Sequence, residues 1–348
     1  MHLNIYFDHI DSFVYSLDLC ITDRCNQHCP HCYVNPRSAM EDLPTQTILD
    51  LLSECSEQGA TNFHVFGGEP FLRDDLQEIF SYAFDLNFTL SVATNGIQVT
   101  QNDFEWLQRF NPFLGITLHG PPAFHDNFTR MEGAYEKSLE TLKAALKLDL
   151  NVGVITCITR VNFARYYSWM QQLVDLGVQT FFILYFSPLG RGLERKDFQI
   201  SNEEWESLAQ SLREYHLTTA NRVSFYFEPS VISRTNLLYA RPSTPCALYT
   251  KSNCVVDANG DIYPCILFLR NPVYSLGNYT LNSLYEIWDR FTQQIWKDSF
   301  PAIEGSGCGT CEFLRLCKRG CPAYLKAGQD FRCNAKYVPI CPLYTELL

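Results

Sequence analysis

Cys25-Asn26-Gln27-His28-Cys29-Pro30-His31-Cys32 sets three thiols in a C-x3-C-x2-C array, just after an apolar, β-leaning run from Tyr15 to Ile21. Thiolates at that spacing can converge from one tight loop onto one inorganic centre. A four-iron cluster takes four cysteine ligands, and this loop offers three. One iron is then left for a ligand other than protein, the mark of a catalytic rather than a closed structural metal site. A zinc knot is the competing reading. Structural zinc prefers four ligands and paired C-x2-C hooks, and a lone C-x3-C-x2-C array fits that poorly.

The segments that follow place this loop in a fold. Leu43 to Ser56 carries Ile48, Leu49, Leu51, Leu52 and Cys55 on one helical face, and Gly59 stops it. Asn62 to Phe66 reads as a short strand that ends in Gly67-Gly68-Glu69-Pro70. The pattern then repeats. Phe88 to Ala93 ends in Thr94-Asn95-Gly96, Phe113 to Leu118 in His119-Gly120, Asn151 to Ile158 in Thr159-Arg160, and Thr180 to Phe186 in Ser187-Pro188. Helical patterns fill the gaps at 72–86, 101–110, 132–148 and 163–176. Strands alternating with helices predict a parallel sheet with crossover helices. Six such units predict an α/β fold, a partial (β/α)6 TIM-like barrel with its active-site residues at the carboxyl ends of the strands. The cysteine and glycine loops both fall at that face.

At 348 residues and 46% hydrophobic content, the chain is long enough for two domains and a sizeable core. The formal net charge is −11 and no basic cluster occurs, so no nucleic-acid partner is expected. No run approaches the roughly 18 apolar residues of a membrane span, and Met1 to Asp11 contains acids and no apolar signal core. The 15 cysteines, an odd count, suit reduced thiols used for metal in the cytoplasm better than a secreted disulfide scaffold. Six of them lie in the first 245 residues and nine in the last 103. The expected division is therefore a barrel over 1–200, a connecting helix and linker over 201–242, and a cysteine-rich domain over 243–348. The capping box Ser201-Asn202-Glu203-Glu204 opens the connecting helix.

Each supporting motif also has a bland reading. Gly67-Gly68 lets backbone approach a ligand closely because neither residue has a Cβ, but an ordinary βα turn has the same look. Thr94-Asn95-Gly96 could be a plain turn, and His119 a surface or helix-capping histidine. Taken with the cysteine loop, however, these stretches resemble the radical S-adenosylmethionine (SAM) superfamily. In that family the open iron holds the amino and carboxylate groups of SAM. The resemblance implies that His31, at the aromatic position before the third cysteine, lies near adenine. It puts Gly67, Gly68 and Glu69 at the SAM amino group, and Thr94 and Asn95 near the ribose. Thr117 stands in for a serine in a segment similar to the family's SLDG…HD…R, and Arg130 matches the arginine that meets the SAM carboxylate. His119 departs from the usual aspartate there and is the candidate catalytic group.

Cys246-x13-Gly260-x4-Cys265, followed by Cys308-x2-Cys311-x5-Cys317-x3-Cys321 and a distal cysteine, resembles the SPASM domain. That extension carries two auxiliary four-iron clusters in peptide-modifying radical SAM enzymes. A zinc ribbon is the alternative, and the longer spacings count against it. Matched in order, Cys246, Cys254, Cys265 and Cys321 would hold the first auxiliary cluster. Cys308, Cys311 and Cys317 would hold the second with Cys341, for which Cys333 is the rival. Cys25, Cys29 and Cys32 would hold the SAM-binding cluster. Cys20, Cys55 and Cys157 read as buried small hydrophobes.

The resemblance implies an enzyme with three [4Fe-4S] clusters that cleaves SAM reductively to a 5′-deoxyadenosyl radical. That radical would take hydrogen from a peptide or protein side chain, with an external electron donor such as a flavodoxin or ferredoxin. A radical SAM enzyme acting on a tetrapyrrole or other small molecule is the alternative. A metal-stabilised electron carrier or binding module is a third reading, but it would not need the glycine loop, Thr94-Asn95-Gly96 and Arg130. In sulfatase-type maturases an aspartate base follows the cysteine of G-x4-C. Ile266 stands at that place, so their oxidation is not expected here. With only 24 residues before Cys25, a leader-dependent substrate is expected to need a separate recognition protein or to bind the barrel mouth directly.

Overall fold

The computed structural model describes residues 16–35, 41–220, 222–228, 230–233, 252–293 and 337–340. Seven parallel strands form its body: β1 (Ser16–Cys20), β2 (Asn62–Phe66), β3 (Thr89–Thr94), β4 (Phe113–Thr117), β5 (Val152–Ile158), β6 (Thr180–Tyr185) and β7 (Ser224–Glu228). They pair in chain order and make an unclosed barrel. The crossovers are α1 (Thr45–Glu57), α2 (Leu76–Asp85), α3 (Gln101–Phe110), the pair α4 (Pro122–Thr129) and α5 (Ala134–Lys147), α6 (Phe163–Asp175) and α7 (Asn202–Thr218).

Local sequence accounts for these elements. In α1 the buried stripe is Ile48, Leu51, Leu52 and Cys55, the 3.6-residue spacing of one helical face. Capping boxes open α3 (Thr100 with Asp103) and α7 (Ser201 with Glu204). Asn111 closes α3 in the left-handed conformation, φ 46°, which asparagine tolerates.

Right-handed crossovers put all the helices on one face of the sheet, and strand alternation separates that face from the other. Leu17, Leu19, Phe63, Val65, Leu90 and Val92 are buried on the helix side. Ser16, Asp18, His64 and Ser91 alternate with them, half-buried, on the inner face. Further round, the inner face is aromatic. Phe113, Phe182 and Tyr226 stack in series, with ring centroids 5.1 and 4.9 Å apart. Gly115 and Gly153 leave room for this row, since a Cβ at Gly153 would lie 2.8 Å from the Phe113 ring.

Two features bear on the expected division. The segment 201–242 is not only a helix and linker: α7 packs beside β7, which adds a seventh parallel strand through the register Thr180↔Ser224. Described residues of the C-terminal segment extend the barrel sheet. Strand β9 (Asn253–Val256) pairs in parallel with β1, and β10 (Asp261–Tyr263) and β11 (Gly277–Asn278) follow antiparallel, which gives one ten-stranded sheet. A helix, α8 (Leu284–Gln293), covers this extension with Leu284, Ile287 and Trp288 buried. The remaining strands, β8 (Ser230–Ser233) and β12 (Tyr337–Ile340), pair with each other. No helix among the described residues is long and apolar enough to cross a membrane.

Candidate active site

The loop after β1 gathers the three predicted thiols. Cys25, Cys29 and Cys32 are half-buried; Cys25 feels the charge of Cys32, and Cys29 that of both. Burial, with this mutual repulsion, pushes the Cys25 thiol up to about 11 and Cys29 higher still. Such a group holds its protons until a cation gathers the thiolates. Gln27 is threaded between them: its N–H lies 3.4 Å from Cys25 Sγ, and its Oε1 accepts from Cys29 Sγ at 3.5 Å. The buried nitrogens Asn26 Nδ2, Gln27 Nε2 and His31 Nδ1 find no hydrogen-bond partner among the described residues. Two of these are amide donors beside the thiols, where a cluster's sulfides would accept. The donor set fits a four-iron cluster.

The glycine loop meets this loop backbone to backbone. Gly68 N–H donates to Thr22 O at 2.8 Å and Glu69 N–H to Arg24 O at 2.7 Å. A Cβ on Gly67 would lie 2.7 Å from Thr22 O, and one on Gly68 2.0 Å from Arg24 O. The close approach that requires glycine here is thus to the cysteine loop itself. Glu69 is fully buried and turns toward the next strand end. It accepts from Thr94 Oγ1 at 2.6 Å, Asn95 N–H at 2.8 Å and Phe71 N–H at 3.2 Å. Burial outweighs these bonds and pushes its carboxyl up to about 7. Asn95 then donates from Nδ2 to Asn26 Oδ1 at 2.6 Å, closing a circuit of three loops.

Thr117 is half-buried at the end of β4, in register with Ile155. Arg130 closes α4 in the left-handed conformation, φ 56°, with its side chain exposed. It lies beside the cysteine loop, because Thr129 O accepts from His28 N–H at 3.1 Å and the Arg130 charge reaches His28.

His119 is not the surface histidine of the bland reading. It is 5% exposed and sits in a stack of rings: 4.6 Å from His31 edge-on, 5.2 Å from Phe128 and 5.6 Å from His125. His31 lies flat on Phe128 at 4.1 Å. The Nδ1 of His119 accepts from Cys157 N–H at 3.3 Å, and its carbonyl from Asn162 Nδ2 at 2.8 Å. Burial, with His31 and His125 beside it, holds its acid form far below the usual histidine range. His119 thus lines the wall beside His31, with its Nδ1 accepting from backbone.

Of the predicted auxiliary-cluster ligands, Cys246, Cys308, Cys311, Cys317, Cys321 and Cys341 lie outside the described residues, as does Cys333. Cys265 is half-buried just after β10. Cys254 is the other described member of the predicted set. It lies on β9, fully buried in the core, where its nearest charge coupling is to buried Cys55 of α1. Cys20, Cys55 and Cys157 are buried as expected.

Two arginines that the sequence did not single out hold the cysteine loop. Arg270 donates to the carbonyls of Val34 and Asn35, pairs with Asp23, and binds Asp257 at 2.8 Å. Cys20, Asp23 and Asp257 lie close enough to hold a metal ion, but the Arg270 guanidinium already fills the space between them. On the other side, Arg191 donates from Nε to Cys29 O at 3.0 Å. Neither contact has a signal in local spacing, since the partners lie more than 150 residues apart in the chain.

The Radical SAM superfamily model matches residues 19–173, and the SPASM iron–sulfur cluster-binding domain model matches 246–312. The chain belongs to the radical SAM superfamily and carries a C-terminal SPASM domain. It is 26% identical to an AdoMet-dependent heme synthase of Methanosarcina barkeri over 322 residues, 87% of this chain and 89% of that one. It is 25% identical to the antilisterial bacteriocin subtilosin biosynthesis protein AlbA of Bacillus subtilis over 318 residues, 84% of this chain and 65% of that one. In fold it is similar to Streptococcus suis SuiB bound to its precursor peptide SuiA, with TM-score 0.75 and 16% identity over 90% of this chain and 73% of that one.

Proposed function

We infer that this radical SAM enzyme takes hydrogen from a neutral or cationic side chain of a peptide or protein. When bound at Cys25, Cys29 and Cys32, a four-iron cluster with SAM supplies one-electron reductive cleavage and hence a hydrogen-abstracting 5′-deoxyadenosyl radical. Arg130 and the strand ends at Gly67, Thr94 and Thr117 are positioned to orient SAM, while the His31–Phe128 stack excludes water.

The observation that carries the substrate class is the charge of the inner wall. No Lys or Arg occurs on any of the seven parallel strands. The inner row instead offers Asp18, a His64–Ser91 pair with Nδ1 and Oγ 2.9 Å apart, and the aromatic series. Burial keeps His64 below its usual range, opposed by Asp18, so among the described residues this row carries an acid and no strand Lys or Arg. It repels substrate carboxylates, which a propionate-bearing tetrapyrrole carries, and accepts from side-chain donors. Relatives of both substrate kinds exist, so this wall is the discriminating feature.

With Cys254 in the core, eight thiols remain for two auxiliary four-iron clusters: Cys246, Cys265, Cys308, Cys311, Cys317, Cys321, Cys333 and Cys341. Both Cys333 and Cys341 are then needed. The test of function is to incubate reduced enzyme and SAM with peptides encoded beside its gene, and separately with iron coproporphyrin. A mass change in a peptide, with the porphyrin untouched, is expected. Conversion of the porphyrin with every peptide unchanged overturns the reading.

A further inference from the structure

Arg191 reaches the cysteine loop from the turn after β6, three strands beyond the strand end that carries Thr94. It makes three contacts there: Nε donates to Cys29 O at 3.0 Å, its backbone N–H donates to Cys32 O at 3.0 Å, and Nη1 lies 2.9 Å from His28 Nδ1. The backbone is shaped for this approach. Gly190 has φ +54°, and a Cβ on it would sit 2.5 Å from Tyr33 O and 2.6 Å from Cys32 O. Arg191 is half-buried and forms no ion pair with a carboxylate among the described residues. Its guanidinium is therefore committed to the loop, at Cys29 O and His28 Nδ1.

We propose that Arg191 is a positioning residue that fixes a positive charge against the SAM-binding cluster and thereby favours that cluster's reduced form. The proposal rests on Cys25, Cys29 and Cys32 holding the cluster. Reduction adds one electron from the external donor, with no bond made or broken, so the cluster and its thiolates gain one negative charge. A guanidinium held by two contacts in a half-buried site, on a backbone pinned by a third, stabilises that charge more than water does. Net charge and hydrogen bonding are the protein's levers on such potentials.

The test compares wild type, Arg191→Lys and Arg191→Gln, each purified anaerobically with clusters loaded. Cys25→Ala/Cys29→Ala/Cys32→Ala serves as the reference for auxiliary signals alone. At one fixed potential, the reduced fraction is read from the paramagnetic signal that shifts when SAM is added. Arg191→Gln should lower the reduced-to-oxidised ratio about tenfold, about 59 mV for one electron. Arg191→Lys should stay within about threefold of wild type, since it keeps the charge. A wild-type ratio in Arg191→Gln overturns the proposal, and so does an equal fall in both variants. Should Arg191→Gln fail to load this cluster, loading by Arg191→Lys supports the need for charge and failure of both overturns it. A SAM-shifted signal in the triple alanine variant would instead refute the cluster assignment.

Discussion

Glu69 shows how one buried carboxylate can order three chain segments at once. It gathers Thr94, Asn95 and Phe71 and keeps a carboxyl that titrates near 7. Because its folded pKa lies above the ordinary 4.5, its stabilising contribution is complete below about pH 4.5 and is lost as pH rises through 7. Glu69→Gln should flatten the dependence of the thermal midpoint on pH between 4.5 and 7.5, removing a difference of roughly 3 kcal/mol. An unchanged slope would place the titration elsewhere. The cysteines divide just as sharply. Replacing Cys25, Cys29 and Cys32 with alanine should abolish 5′-deoxyadenosine while leaving the auxiliary clusters, about eight of an expected twelve irons per chain. Cys333→Ala and Cys341→Ala should each lose auxiliary iron, whereas Cys254→Ser should keep it. Iron analysis beside visible spectra decides each case.

Among the elements, the paired loops after β1 and β2 behave as one object. Gly68→Ala would drive a Cβ to 2.0 Å from Arg24 O, a backbone atom with nowhere to go. The expected result is loss of iron at the SAM-binding loop with auxiliary iron retained, and a cost of about 3 kcal/mol or more read by thermal unfolding. Six of the parallel strands and most crossover helices were legible in the sequence because each amphipathic run ended in a turn signal. Strand β7 was not: Ser224 to Glu228 is five residues long and follows a helix directly, so its alternation merges with a linker. Helix α4 was missed for a similar reason, being eight residues behind two prolines. Spacing located His119 but could not reveal the rings packed around it. The inner wall was invisible for a different reason, since alternation says which residues share a face but not which face is concave.

For the molecule as a whole, Arg270 joins the C-terminal extension to the cysteine loop. Its partners Asp23 and Asp257 are 1% and 0% exposed, and burial of the guanidinium is outweighed by these carboxylates, which hold it charged. Arg270→Leu would strand two buried charges and should cost about 3–5 kcal/mol, seen as a fall in thermal midpoint. No such fall would mean that the acids escape to solvent. The parallel pairing of β9 with β1 has a consequence in time rather than in space. Strand β1 leaves the ribosome first among the described strands, yet its outer neighbour lies about 235 residues downstream, as Asn253 to Asp18 shows. Until that segment is synthesised, β1 exposes an unpaired edge, the template on which strands of other chains can dock. The nascent barrel must wait for its own C-terminal half to seal it, and a ribosome stalled before residue 253 would release a chain prone to pair with its neighbours.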